Sequence, residues 1–180
     1  MLAGPSGVGK GTIVRELKER APALWESVSY TTRGPRPDEV DGVDYCFVSR
    51  AAFEALRDAG GFLEWFEVFG DLKGTPRGPV VEHLAAGDDV LLEIDVQGAL
   101  KVREQFPDAV LVFVAPPSPE ELRRRLVARG TESPAALDRR LAAAAAEEAR
   151  APEFDHVVVN DDLERVVAEV AGILSGSPSP

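Results

Sequence analysis

The stretch Gly4–Thr12 reads GPSGVGKGT and decides the fold of this chain. Its G-x-x-x-x-G-K core is typical of a loop that binds phosphate groups, because its glycines allow positive φ and let backbone N–H groups point inward. A helix that starts near Lys10 adds the positive end of its dipole, and the Lys10 ammonium adds a full charge for the β- and γ-phosphates. The stretch predicts a nucleoside-triphosphate site formed by Gly4, Pro5, Ser6, Gly7, Val8, Gly9, Lys10, Gly11 and Thr12.

The same loop bears on a divalent cation. The residue after the lysine is usually a Ser or Thr whose hydroxyl reaches Mg²⁺, but this chain has Gly11 there and a hydroxyl one residue later, at Thr12. In phosphate-binding sites Mg²⁺ usually keeps several of its waters. We therefore expect Mg²⁺ as a cofactor, with Thr12 as the candidate ligand, acting through water.

The composition fits a folded domain with an anionic surface. The chain has 180 residues, 44% of them apolar, and a net charge of −11. We expect one domain with a sizeable core and no general nucleic-acid surface. If the substrates carry phosphates, the few basic clusters should mark where they bind, because the rest of the surface repels them.

The sequence lacks the signals of a membrane or secreted protein. No apolar run approaches the length that spans a bilayer, and no signal peptide is visible. One cysteine, Cys46, excludes an internal disulfide, and the two histidines, His83 and His156, are too few for a histidine-based metal site. We expect a cytoplasmic protein with Cys46 buried or half-buried; the oligomeric state is not predicted.

Apolar segments that suit strands alternate with segments that suit helices. The runs VLLEI and AVLVFVA are typical of buried parallel strands. This alternation predicts an α/β fold in which helices flank a parallel sheet. The predicted strands are a short one before Gly4, Val43–Val48, Phe62–Val68, Val90–Ile94, Ala109–Ala115 and Val157–Val159.

Three helix starts are well marked. Ser118-Pro119-Glu120-Glu121 is a capping box with proline at the first helical position. Ser133-Pro134 begins a helix that runs to about Arg150, and Asn160-Asp161 begins the last helix. Only three residues precede the glycine-rich loop, whereas the strand before such a loop usually has about five. We expect either further residues upstream or an unusually short strand.

Two arginines, Arg33 and Arg36, lie three residues apart around Gly34-Pro35. Proline stiffens the loop, so both guanidinium groups can face one anion, and bidentate arginine contacts match a phosphate monoester. The alternative is an exposed turn with two solvated arginines.

Glu64 lies among large apolar residues in FLEWFEV. On an alternating strand it would face solvent. If it is buried, its carboxylate can accept two hydrogen bonds from adjacent N–H donors, which guanine offers and adenine does not. Adenine would leave the carboxylate unpaired, at a cost of at least about 1–3 kcal/mol. Glu64 is therefore a candidate base-reading residue.

Two further groups attract attention. Glu93-Ile94-Asp95 ends the VLLEID strand, at the edge where open α/β sheets bind ligands, although a strand end that reaches solvent is the alternative. Arginines crowd residues 123–140, and some of them must be solvated surface charge. The loop from Ala128 to Thr131 is a candidate flap that delivers arginine to a transferring phosphate.

In this order the motifs resemble the guanylate kinase family. The resemblance runs from Gly4 to about Leu174 and is carried by SVSYTTRGPR, DEVDGVDYCFVS, FLEWFEVFG, LLEIDVQGA, RRLVARGTES and VVVNDDL. It implies a P-loop kinase fold, ATP and GMP (also dGMP) as substrates, Mg²⁺ as cofactor and a role in purine metabolism. It divides the chain into a core (1–28, 80–128 and 151–174), a GMP-binding lobe (29–79) and a lid (about 129–150). The composition of residues 175–180 separately predicts a disordered tail.

The resemblance also implies roles for single residues. Arg129 and Arg140 match arginines that close over ATP, and Asn160 matches a residue near the adenine. The expected catalytic residues are Lys10, Arg33, Arg36, Arg129 and Arg140. The expected GMP-binding residues are Ser29, Arg33, Arg36, Tyr45, Glu64, Lys73, Thr75 and Asp95.

Lys73 departs from the family pattern, which usually has a tyrosine that touches the GMP phosphate. Our hypothesis is that the lysine ammonium replaces it. Two alternatives stay open: a non-catalytic guanylate-kinase-like binding module, against which the retained Lys10 argues, and a kinase for another nucleoside monophosphate. The GKGT sequence at Gly9–Thr12 also resembles adenylate kinase.

Overall fold

The computed structural model describes residues 1–68, 70–128 and 134–176. Three residues of the predicted flap loop, Arg129, Gly130 and Thr131, and residues 177–180 of the predicted tail lie outside these ranges. The described strands are β1 (Leu2–Ala3), β2 (Trp25–Ser27), β3 (Tyr30–Thr31), β4 (Cys46–Phe47), β5 (Phe62–Val68), β6 (Asp71–Pro76), β7 (Val90–Leu92), β8 (Val112–Ala115) and β9 (His156–Val159).

The helices alternate with these strands. A 3₁₀ turn, Ala151–Glu153, precedes β9. The α-helices are α1 (Lys10–Arg20), α2 (Arg50–Asp58), α3 (Arg77–Ala86), α4 (Val96–Gln105), α5 (Pro119–Ala128), α6 (Pro134–Glu148) and α7 (Leu163–Leu174). In the part of the chain that the structure describes, no helix is long and apolar enough to cross a membrane.

The chain divides into two compact units. The first, which we call the loop unit, comprises residues 1–21 and 109–180 and contains the glycine-rich loop. The second, the insert unit, comprises residues 22–108 and contains Arg33, Arg36 and Glu64. The finer division into core, lobe and lid stays a prediction.

The loop unit is built on a parallel sheet with the strand order β1-β8-β9. Leu2 pairs with Val112, and Val112 pairs with His156. Val112, Phe113 and Val114 of β8 are almost completely buried, as the uniformly apolar sequence predicts. Helices α1 and α7 bury apolar stripes at helical spacing, which fix the direction in which α1 leaves the loop. The stripes are Ile13, Val14 and Leu17 in α1, and Val166, Val167, Val170 and Ile173 in α7.

The insert unit contains two sheets. Strands β2 and β7 pair in parallel, and a four-stranded sheet has the order β4-β3-β6-β5, in which β6 runs antiparallel to both neighbours. Phe53, Phe62 and Leu72 form the core beneath this second sheet, with the rings of Phe53 and Phe62 stacked at 4.4 Å. The antiparallel pairing explains why the sequence pattern loses its β/α alternation after Ser29.

The α/β fold predicted from the sequence is confirmed, with corrections to element boundaries. The segment Val43–Val48 forms only the two-residue strand β4, because the residues before it make local turns. Strand β7 ends at Leu92, and not at Ile94 as predicted. The last helix begins after Asp162, whose carboxylate accepts from Arg165 N, so the predicted start at Asn160-Asp161 was early.

Candidate nucleotide-binding sites

The glycine-rich loop connects β1 to α1 in the loop unit, and two of its glycines are required by geometry. Gly9 caps α1 with φ at 102°, and a Cβ there would lie 2.5 Å from Asn160 Nδ2. Gly4 has φ at 147°, and a Cβ there would lie 2.3 Å from the carbonyl oxygen of Val114. Backbone strain and contact distance both exclude a side chain at these positions. The loop therefore closes tightly over the end of β8.

Two predicted cations lie at this loop. Lys10 Nζ donates to the carbonyl oxygens of Gly4, at 2.7 Å, and Pro5, at 3.3 Å. Arg140 of α6 donates to Ser6 Oγ at 3.1 Å, although it is 134 residues away in the chain. The structure thus brings Lys10 and Arg140 to the same loop, an arrangement suited to a polyphosphate.

Asn160 holds the glycine-rich loop through a side-chain hydrogen bond. Its side chain is buried and Nδ2 donates to the Val8 carbonyl at 2.7 Å, while its own carbonyl accepts from Arg125 Nη2 at 2.9 Å. Arg125 also donates to the Val8 carbonyl, at 3.1 Å. Sequence reasoning did not distinguish Arg125 from the other arginines of its segment, since only the fold shows which of them faces the loop. The adenine contact proposed for Asn160 stays a prediction.

Thr12, the candidate magnesium ligand, is half-buried in the first turn of α1. Among the residues with a described placement, no group of three or more His, Cys, Asp or Glu side chains could hold a metal ion. This donor set fits Mg²⁺ that is bound chiefly by substrate phosphates and water, with at most one hydroxyl from the protein.

In the insert unit, the two predicted arginines converge on one carboxylate. Arg33 donates to both oxygens of Glu39 at 2.6 Å, and Arg36 Nη1 donates to Glu39 Oε1 at 3.0 Å. The side chains of the two arginines are only 19% and 25% exposed, so they do not form a solvated turn. The two guanidinium groups face one anion, which is the geometry expected from the sequence. The sequence alone did not identify the Glu39 carboxylate as a group that both arginines contact.

Tyr45 and Lys73 extend this cluster. Lys73 Nζ donates to Tyr45 Oη at 2.9 Å, and the Arg33 guanidinium lies 4.9 Å from the centre of the Tyr45 ring. Burial lowers the pKa of Lys73, but Tyr45 and the carboxylates of Glu93 and Asp95 outweigh it, so the net shift is upward. Lys73 is thus held as a cation next to the arginine pair. We call Arg33, Arg36, Tyr45 and Lys73 the cationic cluster.

Glu64 is buried, with 5% of its surface exposed. A β-bulge between Phe62 and Glu64 sets Glu64 directly opposite Thr75 of β6, and Thr75 Oγ1 donates to Glu64 Oε1 at 2.5 Å. Lys73 precedes Thr75 by two residues, so both project from the same face of β6. The bulge explains why simple alternation along β5 could not predict the burial of Glu64.

The charge of Glu64 is costly in this position. Burial, the largest cause, raises the pKa of Glu64 to about 7, and the nearby charge of Asp95 raises it further, against the opposing effects of Thr75 and Lys73. Gly98 makes room for the carboxylate, because a Cβ there would lie 3.1 Å from Glu64 Oε2. A carboxylate kept in a site that disfavours its charge is characteristic of a functional residue.

The other predicted GMP-binding residues lie near by in the fold. Asp95 caps α4, and its Oδ1 accepts from Gly98 N at 2.8 Å. Ser29 is buried just before β3, and Thr75 is completely buried. The insert unit thus holds a cationic cluster and a buried carboxylate, which β6 connects through Lys73 and Thr75. This arrangement suits a ligand with an anionic end and an N–H-bearing end.

A glycine-rich loop with its lysine, between a strand of a parallel sheet and α1, defines a P-loop fold that binds nucleoside triphosphates. The guanylate kinase family model matches residues 1–177. The guanylate kinase of Symbiobacterium thermophilum is 56% identical over 174 residues, which are 97% of this chain and 82% of that protein. The guanylate kinase of Gloeobacter violaceus is also 56% identical, over 97% of this chain and 85% of its own length.

A solved structure agrees with these relatives. The crystal structure of guanylate kinase from Anaplasma phagocytophilum superposes with a TM-score of 0.82 at 37% identity, and the match covers 98% of this chain and 84% of that one. The chain therefore belongs to the guanylate kinase family.

Proposed function

We propose that this protein transfers the γ-phosphoryl group of ATP to GMP, and also to dGMP, and yields ADP and GDP or dGDP. The observation that carries the proposal is the buried Glu64–Thr75 pair, which lies on the same strand pair as Lys73 of the cationic cluster. Family membership supports the same reaction, since the homologues are nucleoside monophosphate kinases. A cytoplasmic location and a role in purine metabolism belong to this proposal.

The acceptor is recognised at both ends. Arg33, Arg36, Tyr45 and Lys73 bind the phosphate of GMP through charged and hydroxyl donors. Glu64 accepts from the N1 and 2-amino groups of guanine, while the hydroxyls of Ser29 and Thr75 and the carboxylate of Asp95 complete the base site. Because adenine offers an acceptor and a C–H in those places, it leaves the carboxylate unpaired.

The donor is bound by the glycine-rich loop. Backbone N–H groups and Lys10 hold the β- and γ-phosphates, Arg129 and Arg140 close over ATP, and Asn160 lies at the adenine. The substrate phosphates and water would hold Mg²⁺, with the Thr12 hydroxyl as the one candidate ligand from the protein, and the ion would neutralise charge on the transferring group. No general base is needed, because the acceptor is already an anion.

The protein's task is to overcome repulsion between two anions. Two unit charges 4 Å apart repel by about 1 kcal/mol in water and by roughly 4 kcal/mol at an effective dielectric constant near 20. Lys10, Arg33, Arg36, Arg129 and Arg140 offset this repulsion as water leaves the site, and correct alignment provides the rest of the rate enhancement.

A coupled assay with ATP and GMP, dGMP, AMP, CMP or UMP tests the proposal. GMP and dGMP should be the preferred acceptors. Glu64→Ala should lower the ratio of kcat/KM for GMP over AMP by about 100-fold, on the order of 3 kcal/mol. Glu67→Ala is the matched control, because Glu67 lies on the same strand but is exposed.

The outcomes separate the alternatives. A preference for AMP would reject the guanine assignment, and an equal loss for every acceptor in Glu64→Ala would contradict the base-reading role. No turnover with any acceptor, in a protein that melts cooperatively, would favour a non-catalytic binding module.

A further inference from the structure

Glu39 is the centre of the arginine pair, although it contributes no positive charge. Its two carboxylate oxygens accept three hydrogen bonds from the guanidinium groups of Arg33 and Arg36, at 2.6, 2.6 and 3.0 Å. Its side chain is 13% exposed. Burial opposes ionisation, but the hydrogen bonds from Arg33 and from the Arg36 backbone lower the pKa of Glu39 to about 2.

The backbone also holds this carboxylate in place. Arg36 N donates to Glu39 Oε2 at 2.8 Å, and Glu39 N donates to the Arg36 carbonyl at 3.1 Å. Arg36 and Glu39 therefore form a turn, and the two hydrogen bonds that hold this turn do not involve the guanidinium groups. The Glu39 carboxylate is therefore held in a fixed position within the loop that carries Arg33 and Arg36.

We propose that Glu39 is a positioning residue, which holds the guanidinium groups of Arg33 and Arg36 side by side and remains bound to them when the phosphate of GMP arrives. This inference rests on the proposed function, because it takes GMP as the ligand of the cationic cluster. Two guanidinium groups that share one anion repel each other less than two unpaired ones, so the pair is kept together before substrate binds.

The arginines keep enough donors for a phosphate. Each guanidinium group has five N–H bonds. Within the described residues, Glu39 and the Gly34 carbonyl accept four hydrogen bonds from the two groups. Arg33 also makes a side-chain hydrogen bond with Tyr45. The remaining N–H bonds of the two groups can serve the phosphate oxygens, so Glu39 can stay in place.

The competing idea is that Glu39 occupies the phosphate position and is displaced by substrate. Displacement would break the three side-chain hydrogen bonds and also the bond from Arg36 N, which belongs to the turn. The fixed position of Glu39 favours the positioning role.

Glu39→Gln separates the two ideas, because the amide keeps the size of the side chain but presents N–H groups to a guanidinium group. A positioning role predicts that KM for GMP rises by about 10–100-fold, while kcat and KM for ATP change by less than about threefold. Glu39→Asp, which keeps the charge on a shorter side chain, should recover part of the loss. Asp38→Asn is the matched control, since Asp38 is the exposed carboxylate next in the chain.

Guanosine provides the decisive probe, because it has the base without the phosphate. Its inhibition constant against GMP should be the same in wild type and Glu39→Gln. An equal loss for guanosine and GMP would show a general structural role, and a lower KM for GMP in Glu39→Gln would show a displaced anion; either result overturns the inference, as does an unchanged KM. If the proposed function itself is wrong, the wild-type protein will not phosphorylate GMP. This result distinguishes a failure of the proposed function from a failure of the inference about Glu39. If Glu39→Gln does not fold, the same comparison in Glu39→Asp decides.

Discussion

At the residue scale, the burial of the charged Glu64 carboxylate costs free energy, and such a cost is characteristic of a functional residue. The carboxylate is buried beside Thr75 and Gly98, and Thr75 supplies a hydrogen bond that offsets the burial only in part. An amide or an apolar residue would fit the same position without the charge. The carboxylate is instead suited to a ligand with two adjacent N–H donors, which completes its hydrogen bonding.

The raised pKa of Glu64 sets the sign of a stability change with pH. The group has a pKa near 4.5 when unfolded and about 7 when folded, so the folded protein binds the extra proton between these values. The contribution of Glu64 to the free energy of unfolding should therefore fall as pH rises from about 4.5 to about 7. Glu64→Gln should remove this fall and become more stable than wild type by up to about 3 kcal/mol above pH 7.

Urea unfolding of both proteins at pH 5, 6, 7 and 8 measures the effect. Glu67→Gln, on the exposed face of the same strand, serves as the control. A constant difference between wild type and Glu64→Gln across this range would contradict the assigned burial of the charge.

Lys73 is the residue at which this chain departs from the usual family pattern. Lys73→Tyr introduces a hydroxyl donor but removes the ammonium that donates to Tyr45. We expect KM for GMP to rise about 3–10-fold and its dependence on salt to weaken, because one cation is lost from the phosphate site.

Steady-state kinetics at two salt concentrations tests this substitution. Lys101→Tyr is the control, because Lys101 is an exposed lysine of α4. The hypothesis is wrong if KM for GMP does not change in Lys73→Tyr.

At the scale of elements, short hydrogen-bonded connections position the groups that we propose to bind nucleotides. The β5–β6 hairpin sets Glu64 opposite Thr75, and the turn before β4 holds Glu39 against its arginines. In the loop unit, Asn160 follows β9 directly and donates a hydrogen bond to the glycine-rich loop. Each of these groups is thus fixed by backbone geometry that small residue changes can disturb.

Asn160→Ala tests the support beneath the loop. The substitution removes the donor to the Val8 carbonyl, which keeps its bond from Arg125. We expect a loss of about 1–2 kcal/mol in the free energy of unfolding and a rise of roughly tenfold in KM for ATP, while the affinity for GMP stays unchanged. Thermal melting and titration with each nucleotide measure these quantities. Equal weakening of both nucleotides would contradict a role confined to the loop.

At the scale of the whole molecule, charge is unevenly distributed. The chain carries 31 acidic and 20 basic residues, yet Lys10 and Arg140 meet at the glycine-rich loop and Arg33, Arg36 and Lys73 meet in the insert unit. A net negative surface with concentrated cations attracts phosphates to these places and not elsewhere.

Removal of the metal should abolish activity without unfolding the protein. In the described ranges, no set of three or more potential ligands is assembled for a resident ion. EDTA should therefore abolish phosphoryl transfer, which needs the magnesium complex of ATP, but shift the melting temperature by less than about 1 °C. A fall of several degrees on chelation would reveal a metal bound to the protein itself.

Much of the fold could be predicted from the sequence alone, because the sequence signals that determine it are local. The loop from Gly4 to Thr12 is contiguous, and α1 begins at Lys10 as its motif predicts. The strand Phe62–Val68 and the start of α5 at Pro119 also follow from nearest-neighbour chemistry, and the α/β class follows from their alternation. Such signals depend on backbone preferences over a few residues.

Only the tertiary structure decided which charged groups meet. A bulge buried Glu64 and paired it with Thr75, a turn gave Arg33 and Arg36 a shared carboxylate, and the end of β9 brought Asn160 to Val8 across 152 residues. These contacts depend on strand register and on loop conformation. A shift of one residue in register would turn a buried carboxylate toward solvent, and no local pattern records that choice.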